Sequence, residues 1–171
     1  MIINRIWAMP NSETFNVKPI KEFVLKYLKD KKLSIDCFAR NVTLATYTND
    51  LNPKTTAQYH LDILDFCKLL KEKAIQTDIC IFDPPFTPSQ LKMSYESIGI
   101  KNTSYDCQRV GRWSQEKEIL KDIIIHGGIF LHFGIHSNGM GINRGFEILE
   151  ILLVAHGSAH SDTICMAERK L

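Results

Sequence analysis

No two of the five cysteines form a C-x-x-C pair: Cys37, Cys67, Cys80, Cys107 and Cys165 are scattered along the 171 residues. That usage fits reduced thiols in a cytosol, and Cys80 sits inside an apolar run as a core residue does. Charge of one sign is lacking too. The formal net charge is +2, so no global field marks a nucleic-acid binder and any basic footprint has to be local. The longest apolar stretches are strand-sized and the amino terminus has no long apolar segment. Both argue against a membrane span or a secretory signal and for a cytoplasmic location. Repeats and low-complexity segments are missing. His132 and His136 are four apart, but they lie across a strand and a glycine turn with no third ligand spaced with them, so no metal is expected. Gly139-Met140-Gly141 precedes no strand–loop–helix of the kind a phosphate loop needs, and reads as a flexible connection. What remains is the ordinary composition of a globular protein, 44% hydrophobic and 23% charged. The length suffices for a single domain, residues 1–171, around one core.

The patterning alternates strands and helices. Apolar residues at Ile20, Phe23, Val24, Tyr27 and Leu28 predict a helix over Lys18–Asp30. Short strands are expected at Leu33–Asp36, Thr43–Thr48 and Tyr59–Asp62, then an amphipathic helix over Ile63–Lys73 and a buried strand at Asp78–Phe82. The polar stretch Thr87–Arg112 carries a short helix after Pro88. Trp113–His126 predicts another helix, stopped by Gly127-Gly128. Ile129–Phe133 reads as a strand and Gly134–Gly145 as a glycine-rich connection. Phe146–Ala155 and Thr163–Glu168 read as strands joined by the hairpin His156-Gly157-Ser158-Ala159-His160. Alternation closed by a hairpin predicts an α/β protein, its sheet mostly parallel with one antiparallel strand. In such sheets ligands bind beyond the carboxyl ends of the strands. Four strands here end in acids at those positions: Asp36, Asp50, Asp62 and Asp83.

The last of these opens Asp83-Pro84-Pro85-Phe86. An acid, two prolines and an aromatic at the end of a buried strand make a rigid, polar, flat-faced site, as chemistry on the exocyclic amine of a planar base requires. Alone, an Asp-Pro-Pro after a strand can be a mere turn. Asp36, Asp50 and Asp62, taken singly, are more often caps or turn residues than ligands. Only their shared location raises them.

With these motifs in place, the chain resembles the S-adenosylmethionine-dependent DNA methyltransferases that act on adenine N6, and more narrowly the short adenine methyltransferases of phages and prophages. The resemblance covers nearly the whole chain. It runs through Pro10-Asn11, Thr14-Phe15, Asp36-Cys37-Phe38-Ala39-Arg40-Asn41, Asn49-Asp50-Leu51-Asn52-Pro53, Tyr59-His60-Leu61-Asp62, Asp83-Pro84-Pro85-Phe86, Gly127-Gly128 and the final hairpin. It implies a Rossmann-like class I methyltransferase fold: a mostly parallel seven-stranded sheet with one antiparallel strand and abbreviated helices on one face. It also implies S-adenosylmethionine as cofactor and DNA as partner.

Roles follow by position. Asn11, Thr14 and Phe15 belong to the amino-terminal motif, with Phe15 lining the methionine end of the cofactor pocket. Asp36, Cys37 and the turn Phe38-Ala39-Arg40-Asn41 would face the methionine half. Asp50 would accept from the ribose hydroxyls and Leu51 pack on the adenine ring. Asp62, followed by Ile63, would accept from the cofactor's own exocyclic amine. Asp83, Pro84, Pro85 and Phe86 would be catalytic, Asp83 also touching the cofactor. The chain departs from the family at Arg40-Asn41, which stand where the first glycine step of D-x-F-x-G-x-G falls. The links on either side of the second strand are also too short for helices. One sheet face is then covered by little beyond the Lys18–Asp30 helix, and a second subunit or another partner is expected to cover it.

Substrate contacts are read from the segment after the catalytic strand. Lys92, Lys101, Arg109, Arg112, Lys117 and Lys121 lie there beside Tyr95, Tyr105 and Trp113, offset by Glu96, Asp106, Glu116 and Glu118. Any one of them reads first as part of a solvated face. As a group, with Lys92, Arg109 and Arg112 foremost, they are the candidates for phosphate contacts. Ser89 and Gln90 follow the aromatic closely and are expected at the target or its neighbours. With no separate target-recognition domain, specificity falls to residues 87–112, to the Gly134–Gly145 loop or to a partner. Two alternatives stay open: the same transfer to RNA adenine or to a glutamine amide, and a non-catalytic methyltransferase-like subunit.

Overall fold

A single sheet organises the computed structural model, which describes residues 1–157 and 160–171. Its strands are β1 (Ile2–Trp7), β2 (Ser34–Asp36), β3 (Tyr47–Thr48), β4 (Thr77–Phe82), β5 (Ile124–Gly134), β6 (Phe146–Ala155) and β7 (Thr163–Lys170). They lie in the order β1-β6-β7-β5-β4-β2-β3. Only β7 runs antiparallel to its neighbours; the other pairings are parallel. The count matches the expectation, but the membership does not. The amino-terminal strand β1 replaces the strand expected at Tyr59–Asp62, which contributes only an isolated parallel bridge, Asn49 to Tyr59. The expected Thr43–Thr48 strand likewise shrinks to two residues.

Helices divide the core in two. α1 (Lys18–Leu28), preceded by a 3-10 turn at Thr14–Asn16, buries Ile20, Phe23 and Val24 on one face of the sheet. There they meet Ile79, Ile81, Leu131, Phe133 and Val154. The other face carries α2 (Ile63–Glu72), α3 (Pro88–Glu96), α4 (Ser104–Arg109) and α5 (Ser114–Ile123), packed on Ile35, Cys80, Phe82 and Phe130. Strand β4 is internal to the sheet and feels both cores, so its alternate residues Cys80 and Phe82 face one and Ile79 and Ile81 the other.

Two glycine readings change. Gly127-Gly128 does not stop a helix: α5 ends at Ile123 and β5 starts at once, because buried Ile124 already pairs with Thr77. Gly127, at φ 74°, takes up the register shift between Thr77 and Ile79 as a bulge. The Gly134–Gly145 link is not loose either. The Met140 and Gly141 N–H groups donate to the buried Glu168 carboxylate at 2.6 and 2.9 Å, and Met140 is buried beneath. The link holds a 3-10 turn, Ile142–Arg144, and no α-helix. Of the expected hairpin turn, Ser158 and Ala159 lie outside the described residues.

Candidate active site

Strands β2, β3 and β4 are mutually parallel, so their carboxyl ends share one rim. A cleft of about 660 Å³ opens there, lined among others by Thr14, Phe38, Asp50, Leu51, Asp62, Ile63, Asp83 and Phe86. Three of the four strand-end acids thus face one cavity. The fourth, Asp36, ends β2 beneath the floor and is completely buried.

Local bonding explains how the acids are held. After Asp36 the chain turns sharply. The Phe38 N–H donates to Asp36 Oδ1 (3.1 Å), and Arg40 adopts φ 50°. This is the left-handed conformation a glycine takes at low cost, so the turn forms although the glycine is gone. Its backbone N–H then donates to Asp50 Oδ2 (3.1 Å), while the Asn52 N–H donates to Asp50 Oδ1 (2.8 Å). The Arg40 guanidinium crosses to the Ser12 carbonyl (2.8 Å) and to Glu13 (3.2 Å), tying the amino-terminal segment to the cleft mouth. Asn49, buried and given no role of its own in the sequence reading, fixes the next turn. Its amide donates to the Cys37 and Leu61 carbonyls at 3.3 and 3.1 Å and accepts from the Leu61 N–H at 3.1 Å.

Asp62 caps α2, accepting from the Leu64 N–H at 3.0 Å. It also accepts from the Tyr95 hydroxyl at 2.7 Å and from Arg109 Nη2 at 2.9 and 3.0 Å. Burial alone would raise its pKa, but the Tyr95 bond and the Arg109 charge outweigh it and hold the carboxyl below the usual range. Arg109 is therefore not the free phosphate contact its sequence position suggested. Its side chain is 11% exposed, lies between Asp62 and Glu116, and stacks at 4.9 Å on Trp113. Trp113 itself sits at φ 50° and walls the cleft together with Tyr95 and Leu91.

Asp83 is the contrast. Its Oδ1 is enclosed without a hydrogen-bond partner. Burial pushes its pKa up to about 7, the Thr14 side chain and the Arg40 charge pulling the other way and Glu13 adding to the rise. Asp36 is pushed up to about 8, chiefly by burial, with the Phe38 N–H opposing and the charges of Asp83 and Asp50 adding. Beyond Asp83, Phe86 is held by Gln90, whose Oε1 accepts from the Phe86 and Thr87 N–H groups at 2.6 and 3.3 Å. With Thr87 accepting from the Gln90 N–H, this is a capping box that fixes the aromatic to the start of α3. Gln90 thus shapes the loop through its carbonyl oxygen, a role the sequence reading did not give it.

Several expected site residues lie behind the cleft or outside it. Phe15 is buried edge-on against Phe133, 5.2 Å between ring centroids, anchoring Thr14 instead of lining the pocket. Cys37 and Ala39 are core residues. Asn11 stays exposed and accepts from the Glu13 N–H, whereas Asn41 lines the mouth and accepts from the Thr56 N–H at 3.1 Å. Ser89, Lys92 and Arg112 are exposed beside the cleft. His132 is a buried β5 residue stacked on Phe82 and Phe130, and burial lowers its pKa to about 3. Among the described residues no three His, Cys, Asp or Glu side chains cluster as a metal site, and no helix is long and apolar enough to cross a membrane.

No family model matches the sequence, and no curated protein is similar to it. Solved structures are similar in fold. NodS, an N-methyltransferase from Bradyrhizobium japonicum in complex with S-adenosyl-L-homocysteine, superposes with a TM-score of 0.56 at 12% identity, over 94% of this chain and 89% of that one. TrmN from Thermus thermophilus gives 0.57 at 13% identity, over 91% of this chain and 49% of that one. NSun6 from Pyrococcus horikoshii with SFG gives 0.56 at 12%, over 85% and 50%. The fold is the Rossmann-like class I methyltransferase fold. The chain spans about half the length of TrmN and NSun6.

Proposed function

We propose that this chain transfers a methyl group from S-adenosylmethionine to the exocyclic N6 of adenine in DNA. One observation carries the reading: Asp83, at the end of β4, lines a cleft that also receives Asp50 and Asp62, and its Oδ1 is enclosed without a hydrogen-bond partner. A buried acceptor without a donor is costly, and an amine would supply the donor.

The residues present fit the cofactor. Asp50 is steadied by two backbone N–H groups and, as a carboxylate, can accept from two hydroxyls. Leu51 and Ile63 offer apolar walls for a ring. Burial keeps Asp36 and Asp83 partly or mostly protonated near neutral pH, and a sulfonium beside them would favour their charged forms. S-adenosylmethionine, when bound, supplies an electrophilic methyl group on that sulfonium. Asp83 and the Pro84 carbonyl then accept from the target amine, directing its lone pair along the line of transfer. The two prolines fix that carbonyl, and Phe86, pinned by Gln90, gives the base a face worth about 1–3 kcal/mol of stacking. Effective molarity from positioning can contribute roughly 7–11 kcal/mol more. A base in duplex DNA has to be flipped to reach this depth. Exposed Lys92 and Arg112, with Lys54 at the mouth, are the cations available for phosphates, the Arg40 guanidinium being held by Ser12 and Glu13.

A second reading keeps the chemistry and changes the acceptor to RNA adenine or a glutamine amide. The likeness in fold to NodS, described as an N-methyltransferase, supports an amine acceptor without specifying nucleic acid. The non-catalytic reading loses its main support, since Arg40 adopts the turn that a glycine would. Modified adenines should appear at one sequence context in DNA from cells expressing the chain. Unmodified DNA together with labelled RNA or protein would transfer the proposal to the second reading.

A further inference from the structure

β1 is an unprotected edge. All six of its residues are exposed. One side bonds to β6, and the other carries the free N–H and C=O groups of an edge strand. Met1, Ile2, Ile3, Ile6, Trp7 and Met9 are 75, 55, 64, 44, 60 and 69% exposed, the densest run of exposed large apolar side chains in the described chain. Edges are ordinarily blunted by short length, charge, proline or a cover. The opposite edge obeys that rule, since β3 has two residues; β1 has six and a single charge, Arg5. The sheet beside it is thinly covered too. Register places Ile3 by Ile151, Arg5 by Leu153 and Trp7 by Ala155. Ile2 lies by Glu150, which bonds Lys26 and Tyr27 of α1, so Ile3 and Trp7 are on the face away from α1. On that face the β5–β6 link supplies a 3-10 turn in place of a helix, and Ile151, Leu153 and Ile164 remain partly exposed.

We propose that β1 pairs antiparallel with β1 of a second copy of this chain, about a two-fold axis normal to the sheet through Asn4, joining two seven-stranded sheets into one. Such an axis keeps each side chain on its own face, so opposed residues must be an even number of positions apart. Centring on Arg5 would set two guanidinium groups against each other. Centring on Ile3 would set Ile2 against the partner's Asn4 and Met1 against the partner's Arg5, leaving the central pair as the one apolar match. Centring on Asn4 sets Ile2 against the partner's Ile6, Met1 against the partner's Trp7, and the two Asn4 amides, each donor and acceptor, against each other. The pattern Ile-x-Asn-x-Ile reads the same in both directions, which favours a second copy over a foreign strand. The cleft lies over β2, β3 and β4, towards the other edge of the sheet, and stays open.

Sedimentation of the full chain from low to high micromolar concentration should approach twice 19.6 kDa. Ile6→Lys and Trp7→Lys should each raise the dimer dissociation constant about tenfold or more, with the melting curve read alongside to verify folding. Asn4→Cys gives an independent readout at the edge: mild oxidation should cross-link it across the axis, and Arg5→Cys should cross-link far less. A mass of one chain at every concentration, a dimer indifferent to both lysine variants, or equal cross-linking at positions 4 and 5 would each overturn the proposal.

Discussion

The two ends of the cleft hold acids of the same type in opposite states. At the α2 end, Asp62 is saturated by Leu64, Tyr95 and Arg109, and its pKa is depressed. At the β4 end, Asp83 has an enclosed oxygen with no partner and a pKa raised to about 7. A satisfied acid shapes a wall; an unsatisfied one is stabilised by whatever donor enters. Burial dominates at Asp83, where Arg40 acts only through its charge; at Asp62 burial is outweighed because Tyr95 and Arg109 bond the carboxylate directly.

Removing the unsatisfied acid gives the largest expected effect. Asp83→Ala should lower kcat by about 10³-fold, the scale of losing an acceptor or donor aimed at the reacting group. Cofactor affinity, measured by calorimetry, should change by no more than about threefold. Asp50→Ala should do the reverse, weakening cofactor binding by about 30-fold, as expected for a carboxylate taking two hydroxyl bonds. Equal loss of binding in both variants would erase the distinction between the ends.

At the satisfied end the effect should be on stability. Arg109→Ala leaves Asp62 and the buried Glu116 without their cation. Breaking a buried pair from one side costs about 3 kcal/mol, roughly 6–12 °C in Tm for a chain of this size. Asp62→Asn in the same background should add less than it does alone, because the two share one network. A variant that melts like the parent but loses nucleic-acid affinity would restore Arg109 as a phosphate contact.

That residue also marks the limit of the sequence. Asp50 and Asp83 were legible because parallel strands put their carboxyl ends on one rim, whereas Asp62 reaches the cleft as the cap of α2 and Asp36 ends its strand buried outside the cleft lining. Also legible were α1, α2 and the antiparallel β7, each with strong periodicity or a hairpin. Arg109 was not, since its partner Asp62 stands 47 positions away and nothing local separates an inward arginine from a solvated one. β1 was missed because an edge strand exposed on both faces shows no alternation. Gly127-Gly128 reads equally as a helix stop or a strand bulge, and only the pairing of Ile124 with Thr77 decides. Phe15 was placed in the pocket by the resemblance of its amino-terminal motif; in the structure Thr14 lines the cleft and the Phe15 ring packs into the core against Phe133.

The pH profile is the most discriminating test, because it separates buried acids from paired ones. Asp36 and Asp83 have folded-state values of about 8 and 7, above the unfolded value near 4. The folded chain therefore keeps protons that the unfolded chain releases between those limits, so stability without cofactor should fall as pH rises from about 4 to about 8. Asp62, with its depressed pKa, adds no loss in that window. Asp36→Asn keeps the Oδ1 acceptor for the Phe38 N–H but cannot ionise, so its Tm should gain on the parent at pH 8 and not at pH 5. Turnover should run the other way, rising through about pH 7 as Asp83 ionises and can accept from the amine. A cationic cofactor beside both acids favours their charged forms, so S-adenosylmethionine should flatten the Tm profile more than the uncharged-sulfur product does. Equal flattening by the two would place the sulfonium away from Asp36 and Asp83, and the orientation of the cofactor in the cleft would have to be reversed.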